Sequence, residues 1–564
     1  MRRHVGVLGL LMAGLLLLSG CVSFPESGSV ARGIEGAPEP EAISLVAEDP
    51  QPEDSPERIV RGFLAGAAAG TTDDFTVARL YLTDSAAEAW NPAAEVTIYS
   101  GSDPLVVEET DDGTVEVTVT VSGTVDSTGA YTPAPADSGT TFEFDLARSA
   151  TGQWRIDGLN DGVLVSEVIF GSQYTQTPLY FLTADATMLV PDTRWFPQRN
   201  APTAAMRGLL EGPGPWLDNA VFSALPAETS LTYGGVTVSS GTAQVDLTPQ
   251  ALDADATSRQ LIRTQIEQTL LALSQVQRVE ITVDGVDWDA EVTGLHVTSD
   301  PSVGRTPVVL DIEEQVLSTF TDGASDPLRP LDGTIPLEGL DPGPVALGYD
   351  GEPVVMRTGS DELITVPTAE QPEVTVLAQV PGMVAPSYDR HGWVWTGPGD
   401  NAGELLAVRP TGEQQAVTAE MLAGTELVEL RVSRDGSRLA LITQREDAVT
   451  VEVRAVIRDE AGVPQRLSEG VRVLPELREA SRVVWVDEEH LAVLGVSGTN
   501  TTVHLTPVGG RTQQLPTVPE VVDIASARGD RELYATTGDG ELYARSGLGW
   551  RAVAEGVALP AFPG

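Results

Sequence analysis

The second half of this chain changes from helical periodicity to short apolar strands separated by tight turns. From residue 302 to 558, a strand, an Asp-Gly or Gly-rich turn and another strand return about every 40 to 50 residues. Residues 429–442 form the clearest unit, with Ser433-Arg434-Asp435-Gly436 as its turn. Such a recurrence is typical of β-propeller blades. We expect a propeller of roughly five or six blades over 302–558, with a pair of irregular β-sandwiches as the alternative.

The segment 54–172 combines helical and strand patterns. Asp54 or Ser55 can cap a first helix that has Pro56 at its first position and a buried apolar stripe. Residues 115–121 and 142–146 alternate with period two, which predicts strands. We expect two helices packed on a curved antiparallel sheet. The stripe of the first helix consists of Ile59, Val60, Phe63 and Leu64.

The segment 173–298 repeats this mixture in a second unit. Residues 203–211 and 258–273 have helical apolar stripes, and 243–247 and 279–283 read as strands. Asp284-Gly285 is a tight-turn signal. The expected fold class is therefore multidomain, with two α+β domains followed by an all-β propeller.

The first 53 residues have the composition of an export signal and a tether. A positive start, Met1-Arg2-Arg3-His4, precedes an uncharged apolar run over residues 5–18. That run is short for a membrane span, which needs about 20 residues, but fits a secretory signal peptide over 1–20. Residues 21–53 are rich in Pro, Glu, Gly, Ser and Ala, which predicts a disordered acidic tether.

Leu18-Ser19-Gly20-Cys21 resembles the bacterial lipobox. That resemblance implies a diacylglyceryl group on the Cys21 thiol, cleavage between Gly20 and Cys21, and acylation of the new amine. Two or more acyl chains anchor a protein stably to a membrane. Cys21 is the only cysteine of the chain, so the exported domains contain no disulfide. An ordinary signal peptide with a chance cysteine is the alternative.

The formal net charge of −48 argues against nucleic-acid binding, which needs a basic surface. It also argues against a folded body lying flat on anionic lipid. All 34 basic residues are arginine. A P-loop lysine, a Schiff-base lysine and a lysine general base are therefore excluded.

No catalytic or metal-ligating motif emerges from the remaining residues. The histidines are scattered, and no zinc-protease pair, serine elbow, dinucleotide fingerprint or Walker A motif is present. We therefore expect no enzyme activity, no cofactor, no metal site and no catalytic residue. Five tryptophans could form a partner surface, although packing between blades is the more ordinary role for Trp393 and Trp395. The histidines are His4, His296, His391, His490 and His504; the tryptophans are Trp195, Trp216, Trp393, Trp395 and Trp485.

The order of these features resembles the actinobacterial LpqB lipoproteins over essentially the whole chain, and the unit at 173–298 resembles a GerMN domain. In the first unit the resemblance rests on residues 59–64, 78–83 and 90–92. In the second it rests on residues 179–182, 209–213, 215–217, 243–247 and 281–285.

The resemblance implies a protein held by lipid on the extracytoplasmic face of the cell membrane. LpqB proteins are associated with the sensor kinase MtrB and its response regulator MtrA. A member is expected to bind the extracytoplasmic domain of that kinase and to modulate signalling to cell-wall and division control. Only Cys21 carries over as a defined site. An envelope protein that binds a cell-wall glycan or peptide through the GerMN domain or the propeller is an alternative, and a propeller hydrolase is a third.

Overall fold

The computed structural model describes residues 47–101, 105–110, 113–136, 138–288, 295–301 and 303–564. The predicted signal peptide, Cys21 and the predicted tether up to residue 46 lie outside these residues. None of the helices in these ranges is long and apolar enough to cross a membrane.

The α-helices of the described residues all precede the propeller. They are α1 (Pro56–Asp73), α2 (Thr76–Leu80), α3 (Asp84–Ala89), α4 (Glu167–Gln173), α5 (Ala201–Glu211) and α6 (Ala256–Leu271). Of the two predicted capping residues, Ser55 occupies the N-cap position of α1, although its side chain makes no capping hydrogen bond; the predicted start at Pro56 is confirmed. Short 3₁₀ turns lie at Gln198–Asn200, Pro215–Leu217, Pro249–Asp253, Glu420–Leu422 and Asp530–Glu532.

Helices α1 to α3 pack on a seven-stranded sheet of order β6-β5-β3-β1-β7, in which β2 and β4 also pair with β3. The strands are β1 (Glu95–Tyr99), β2 (Val106–Glu109), β3 (Thr114–Asp126), β4 (Tyr131–Pro133), β5 (Gly139–Arg148), β6 (Trp154–Gly158) and β7 (Val163–Ser166). The sequence predicted an antiparallel sheet, and this is wrong for β7, because β7 pairs with β1 in the parallel direction. The apolar residues that alternate along β3 face α1.

The middle unit places α5 and α6 against two small sheets, of order β10-β8-β9 and β11-β12-β13-β14. Its strands are β8 (Tyr174–Thr183), β9 (Leu189–Pro197), β10 (Val221–Phe222), β11 (Thr237–Ser239), β12 (Thr242–Leu247), β13 (Arg278–Val283) and β14 (Val286–Asp287). Asp284 and Gly285 have φ angles of 50° and 73° between β13 and β14, so the predicted tight turn is confirmed.

Residues 303–564 form six four-stranded blades around a central channel, with no α-helix among the described residues of this part. Blade 1 contains β15 (Val308–Asp311), β16 (Val316–Phe320), β17 (Leu328–Pro330) and the last strand, β39 (Val557–Ala561). Blade 2 contains β18 (Pro342–Leu347), β19 (Val354–Thr358), β20 (Glu362–Thr365) and β21 (Thr375–Gln379).

Blades 3 and 4 share one nine-stranded sheet. Blade 3 contains β22 (Ser387–Tyr388), β23 (Val394–Thr396), β25 (Glu404–Val408) and β26 (Gln414–Thr418); β24 (Asp400–Asn401) pairs with β27 of blade 4. Blade 4 contains β27 (Thr425–Val432), β28 (Arg438–Arg445), β29 (Ala448–Arg458) and β30 (Pro464–Val473).

Blades 5 and 6 are separate four-stranded sheets. Blade 5 contains β31 (Glu479–Trp485), β32 (His490–Val496), β33 (Thr501–Pro507) and β34 (Gln513–Gln514). Blade 6 contains β35 (Val521–Ser526), β36 (Leu533–Thr537), β37 (Leu542–Ser546) and β38 (Gly549–Ala554), followed by β39 (Val557–Ala561).

The propeller ring is closed by its last strand. β39 pairs antiparallel with β15, so the two ends of the propeller chain complete blade 1 together. This pairing leaves no free edge where the ring begins and ends, which removes a site of edge-to-edge association. The last strand continues to Ala561, beyond the predicted end at 558.

The propeller has two faces that differ in their neighbours. We call the face with loops 389–393, 433–437 and 486–489 the docked face, because the middle unit contacts it through the Asp185–Arg390 ion pair and the Tyr180–Glu488 hydrogen bond. We call the opposite face, with loops 397–403 and 446–447, the open face. The central channel runs from the docked face to the open face, and we name its two ends after these faces.

Candidate functional site: the propeller channel and its mouth

The first strand of each blade, or β39 in blade 1, lines a narrow channel along the propeller axis. The cavity inside has a volume of only about 80 Å³. Large side chains account for this narrowness. They include Tyr388, Arg431, Arg434, Trp485 and Phe562.

Arg434 fills the docked end of the channel. Its guanidinium donates to the backbone oxygens of Trp485, Val486 and Ser526, each at 3.2 Å. These carbonyls belong to blades 5 and 6, so one side chain from blade 4 fastens three blades together. The Tyr349 hydroxyl in turn donates to the Arg434 oxygen at 2.6 Å. The docked end is therefore closed by protein.

The turn that carries Arg434 is held by its neighbours. The Asp435 carboxylate accepts from the Ser437 backbone N–H at 2.8 Å and from Nη2 of the fully buried Arg438 at 2.6 Å. Gly436 has a φ angle of 75°, which confirms the predicted tight turn. Burial alone would raise the pKa of Asp435, but the Arg438 charge and the hydrogen bonds hold it below its usual value. The sequence reasoning found this turn and missed the role of Arg434 beside it.

The open end of the channel widens into a cavity of about 640 Å³, which we call the mouth. Blades 2 to 5 contribute its lining, and no described residue of the first two units is part of it. The wall combines apolar and polar side chains. The apolar lining residues are Pro344, Pro381, Met383, Val384, Ala385, Pro398, Leu427 and Val428.

Five charged side chains meet at the base of the mouth. We call Arg357, Glu429, Arg431, Arg482 and Asp523 the mouth cluster. Glu429 Oε1 lies 2.7 Å from Arg431 Nη2, and Glu429 Oε2 lies 4.0 Å from Arg482 Nη1. Arg482 Nε donates to Asp523 Oδ1 at 3.1 Å. Arg357 Nη1 donates to the Met383 oxygen at 2.6 Å.

The two carboxylates of the mouth cluster are held away from water. Burial raises the pKa of Glu429, against the opposing effect of Arg431 and Arg482. Burial raises the pKa of Asp523 in the same way, against the effect of Arg482 and Arg431. With both carboxylates ionised the cluster carries three positive and two negative charges. A raised carboxyl pKa shifts that balance further toward positive charge.

The described histidines are scattered, as expected, and each has its own environment. His296 is exposed, while His504 is buried with its Nε2 atom 3.1 Å from the Thr502 hydroxyl. His391 lines a cavity of about 390 Å³ between the docked face and the middle unit. His490 Nδ1 lies 2.9 Å from Asp487 Oδ1. In the described part of the chain, no three His, Cys, Asp or Glu side chains are placed to hold a metal ion.

The tryptophans are packing residues rather than an exposed surface. Trp393 and Trp395 are fully buried in the core of blades 3 and 4, which confirms the packing interpretation. Trp485 lines the channel. Trp195 joins the middle unit to the propeller, since its indole N–H donates to the Gly509 oxygen at 2.9 Å. Trp216 packs against the core between blades 4 and 5. A tryptophan partner surface is therefore wrong for these residues.

Three family models match successive parts of the chain. The lipoprotein LpqB N-terminal domain matches residues 49–171, a domain of sporulation and spore germination matches 178–288, and the lipoprotein LpqB β-propeller domain matches 318–563.

Several curated relatives that match the chain are named lipoprotein LpqB. The protein of Thermobifida fusca is 28% identical, with 97% of this chain and 97% of that protein covered. The protein of Streptomyces coelicolor is 27% identical over 100% of this chain and 98% of that protein. The protein of Cutibacterium acnes is 34% identical over 49% of this chain and 46% of that protein. With two α+β units followed by a closed propeller, the chain belongs to the LpqB family of actinobacterial lipoproteins.

Proposed function

We propose that this protein is a lipid-anchored binding protein on the extracytoplasmic face of the cell membrane. Its partner is the extracytoplasmic domain of a sensor kinase of the MtrB type, whose signalling to cell-wall and division control it modulates. The proposal rests on the open face of the propeller. Its mouth is lined only by propeller residues, whereas the opposite face is already in contact with the middle unit.

The docked face is occupied by polar contacts that a partner would have to displace. Arg390 Nη2 pairs with Asp185 Oδ2 at 2.7 Å, and the Glu489 carboxylate accepts from Thr193 at 3.2 Å and from Gln176 at 3.4 Å. Breaking such partly buried pairs leaves charges without partners, which is costly. A partner that leaves these contacts intact therefore binds away from the docked face. The open face is not covered by the middle unit and is the surface that we assign to the partner.

A binding role, rather than an enzymatic one, fits the chemistry of the mouth. Its described lining contains arginine and carboxylate side chains among apolar walls, and no serine, threonine, cysteine or histidine. A nucleophile with its base is thus missing from this lining. Arginine is enriched among the residues that anchor partner-binding surfaces.

Anchoring through Cys21 supports a membrane-bound partner. A tether of residues 21–53 can extend roughly 100 Å at about 3.3 Å per residue, although its average span is shorter. A tethered domain and a membrane-bound kinase share a thin layer of volume, so their effective concentration is high. A contact of modest affinity is then sufficient for regulation.

Site-specific photo-crosslinking in live cells tests the proposal. A photo-reactive residue at the exposed Glu446 of the open face is expected to capture the kinase. The same residue at the exposed Glu413, in a docked-face loop, serves as the matched control and is expected not to. Capture of the kinase from Glu413 alone would show that the kinase contacts the docked face, which would contradict the proposed contact on the open face. Failure to capture a kinase from either position, together with unchanged regulator phosphorylation after deletion of the gene, would overturn the proposal.

A further inference from the structure

One turn of the docked face places several titratable side chains against the middle unit. This turn, between β31 and β32 of blade 5, has the sequence Asp-Glu-Glu-His over residues 487–490, and we call it the acidic loop. The Glu488 carboxylate accepts a hydrogen bond from β8 at 3.3 Å. The Glu489 carboxylate accepts one from β8 at 3.4 Å and one from β9 at 3.2 Å. The donors are, in this order, Tyr180, Gln176 and Thr193.

The middle unit offers these two carboxylates neutral partners only. The donors are two hydroxyls and one amide, and in the described part of the chain neither Glu488 nor Glu489 forms an ion pair with an arginine. A carboxylate that exchanges water for neutral donors loses hydration that a facing cation would replace. The contact therefore accommodates a protonated carboxyl better than a carboxylate.

The charges around the acidic loop add to this effect, because carboxylates outnumber cations there. Asp487 in the loop and Asp300 in the segment before the propeller act on Glu488, and Asp530 acts on His490. The charged groups that face the loop from the packed elements are Asp300, Arg434, Arg528 and Asp530, and both arginines already lie beside Asp300.

The protonation of the two glutamates follows from these surroundings. Burial, together with the charges of Asp300 and Asp487, raises the pKa of Glu488 above its usual 4.5. Burial raises the pKa of Glu489 against the opposing charge of His490. A group whose pKa is raised by docking favours docking fully below about pH 4.5, and this contribution is lost as pH rises through the docked-state pKa. The lowered pKa of Asp487 has its effect only below about pH 3.8, outside this range.

His490 acts in the same direction at higher pH. Its Nδ1 atom lies 2.9 Å from Asp487 Oδ1. Burial alone would lower the pKa of His490, but the hydrogen bond and charge of Asp487 raise it above 6.5. Loss of this proton removes the positive charge beside Glu489. The docked state is therefore least favoured when both glutamates are ionised and His490 is neutral.

We propose that the contact between the acidic loop and the middle unit is a pH-sensitive switch, which mildly acidic pH tightens and mildly alkaline pH loosens. Glu488 and Glu489 are its titrating groups, and His490 extends its range toward neutral pH. The switch lies on the docked face and does not require the proposed kinase contact on the open face.

Hydrogen–deuterium exchange of the purified full-length protein, measured by mass spectrometry, tests the switch. Peptides that cover residues 174–197 report the opening of β8 and β9, while peptides from β36 and β37 of blade 6 are the internal reference. The unchanged protein is compared with Glu488→Gln/Glu489→Gln, whose neutral amides keep an oxygen that accepts the same hydrogen bonds. Comparison at one pH cancels the chemical exchange rate, so the difference measures local opening.

The double variant should be protected only at high pH. At pH 8 we expect β8 and β9 to exchange about tenfold or more faster in the unchanged protein, since tenfold corresponds to a pKa difference of about one between the docked and undocked carboxyl. At pH 5 the two proteins should exchange nearly alike. Equal exchange at pH 8, or a difference of the same size at both pH values, would overturn the inference.

A matched variant separates the switch from a general loss of charge. Glu313→Gln removes one negative charge from the exposed turn between β15 and β16 and should exchange like the unchanged protein at every pH. Circular dichroism checks the fold of each variant. If the double variant does not fold, Glu488→Gln and Glu489→Gln are compared singly, and the same two outcomes decide the question.

His490→Gln tests the extension toward neutral pH. At pH 6 its β8 and β9 peptides should exchange faster than those of the unchanged protein, because the positive charge beside Glu489 is missing. At pH 8, where neither protein carries that charge, the two should exchange alike. Equal exchange at pH 6 would contradict the role assigned to His490.

This experiment contains no kinase, so its outcome is separate from that of the crosslinking experiment. A pH response without kinase capture would leave a pH-sensitive protein with another partner. Kinase capture without a pH response would leave the docked face as a static contact.

Discussion

The Oδ1 atom of Asp300 lies 3.9 Å from Nη1 of Arg434, and Oδ2 of the same carboxylate lies 2.8 Å from Nε of Arg528. Asp300 belongs to the segment that leads from the middle unit into the propeller. The two arginines belong to the docked-face loops that follow β27 in blade 4 and β35 in blade 6. One carboxylate therefore connects this segment to the closed end of the channel.

Arg434→Ala is expected to destabilise the propeller by about 3–5 kcal/mol, because the Asp300 side chain, only 7% exposed, keeps just a partly exposed arginine as its partner. The substitution also leaves the oxygens of Trp485, Val486 and Ser526 without this donor. Urea unfolding followed by tryptophan fluorescence measures the loss, since Trp485 lies beside the site.

Arg528→Ala is the matched control for that prediction. The Arg528 side chain is 52% exposed, so its ion pair with Asp300 contributes at most about 1 kcal/mol. Equal losses for the two variants would show that Arg434 does not close the channel as described.

Asp389→Ala is expected to destabilise blade 3 by about 3–5 kcal/mol. The buried carboxylate accepts from the Trp395 indole at 2.9 Å, from Arg458 Nη2 at 2.6 Å and from the backbone N–H groups of His391 and Trp393. Its removal leaves the buried guanidinium of Arg458 with backbone oxygens as partners but without a carboxylate. Asp389→Asn keeps one acceptor oxygen, so its free energy of unfolding should decrease less than that of Asp389→Ala. A midpoint of urea unfolding that is unchanged in both variants would contradict the prediction.

Much of the local structure could be predicted from the sequence because it depends on neighbouring residues. The start of α1 at Pro56 follows from the fixed φ of proline. The turns at Asp284-Gly285 and Asp435-Gly436 follow from the need for positive φ. The change from helical to strand periodicity also predicted the propeller fold. The proposed domain limits and the role of Cys21 stay predictions.

The channel and its mouth could not be predicted, because they are assembled from residues far apart in the chain. The closing pair of β39 and β15 joins the two ends of the propeller and leaves no local signal. Part of the mouth cluster did have a local signal in the sequence. Glu429 and Arg431 are charged residues two positions apart among the apolar residues of the second half of β27, and so lie on the same side of the strand. The parallel pairing of β7 with β1 was missed for the same long-range reason.

Glu429→Gln is expected to change how stability depends on pH. Burial holds the pKa of Glu429 above its usual value of 4.5, although the facing charges of Arg431, Arg482 and Arg357 oppose this. As pH rises, the Glu429 carboxyl loses its proton at a lower pH in the unfolded chain than in the folded protein. Its contribution to the free energy of unfolding is therefore complete below about pH 4.5 and declines as pH rises through the folded-state pKa. The Gln variant lacks this decline.

Urea unfolding of both proteins between pH 4.5 and pH 8 provides the measurement. The free energy of unfolding of Glu429→Gln, minus that of the unchanged protein, should increase toward pH 8. Asp523 has a raised pKa of the same origin and interacts with the Glu429 charge, so this difference measures the coupled pair. Parallel pH profiles would show that Glu429 is ionised with its usual pKa.

The histidine titrations should differ according to their surroundings. Burial, together with the charges of Arg458 and Arg390, lowers the pKa of His391 to about 4. Burial lowers the pKa of His504, whereas for His490 the hydrogen bond and charge of Asp487 outweigh burial and raise it. NMR titration, assigned with single His→Gln variants, should therefore find His391 neutral at pH 6 and His490 largely protonated there. The reverse order would contradict the placement of both side chains.

Cys21→Ala is expected to abolish lipidation while leaving the folded units intact. A thiol is the acceptor of the diacylglyceryl group, and Cys21 is the only cysteine of the chain. Labelling of cells with palmitate, followed by detergent phase separation, should find the unchanged protein labelled and in the detergent phase, and the variant unlabelled and in the aqueous phase. Ser19→Ala, a small-for-small change next to the cleavage site, is the control and should remain lipidated. Because residues 47–564 contain no part of the anchor, the unfolding midpoint in urea should be the same in all three proteins. A Cys21→Ala protein that keeps its label and its membrane location would exclude Cys21 as the anchor.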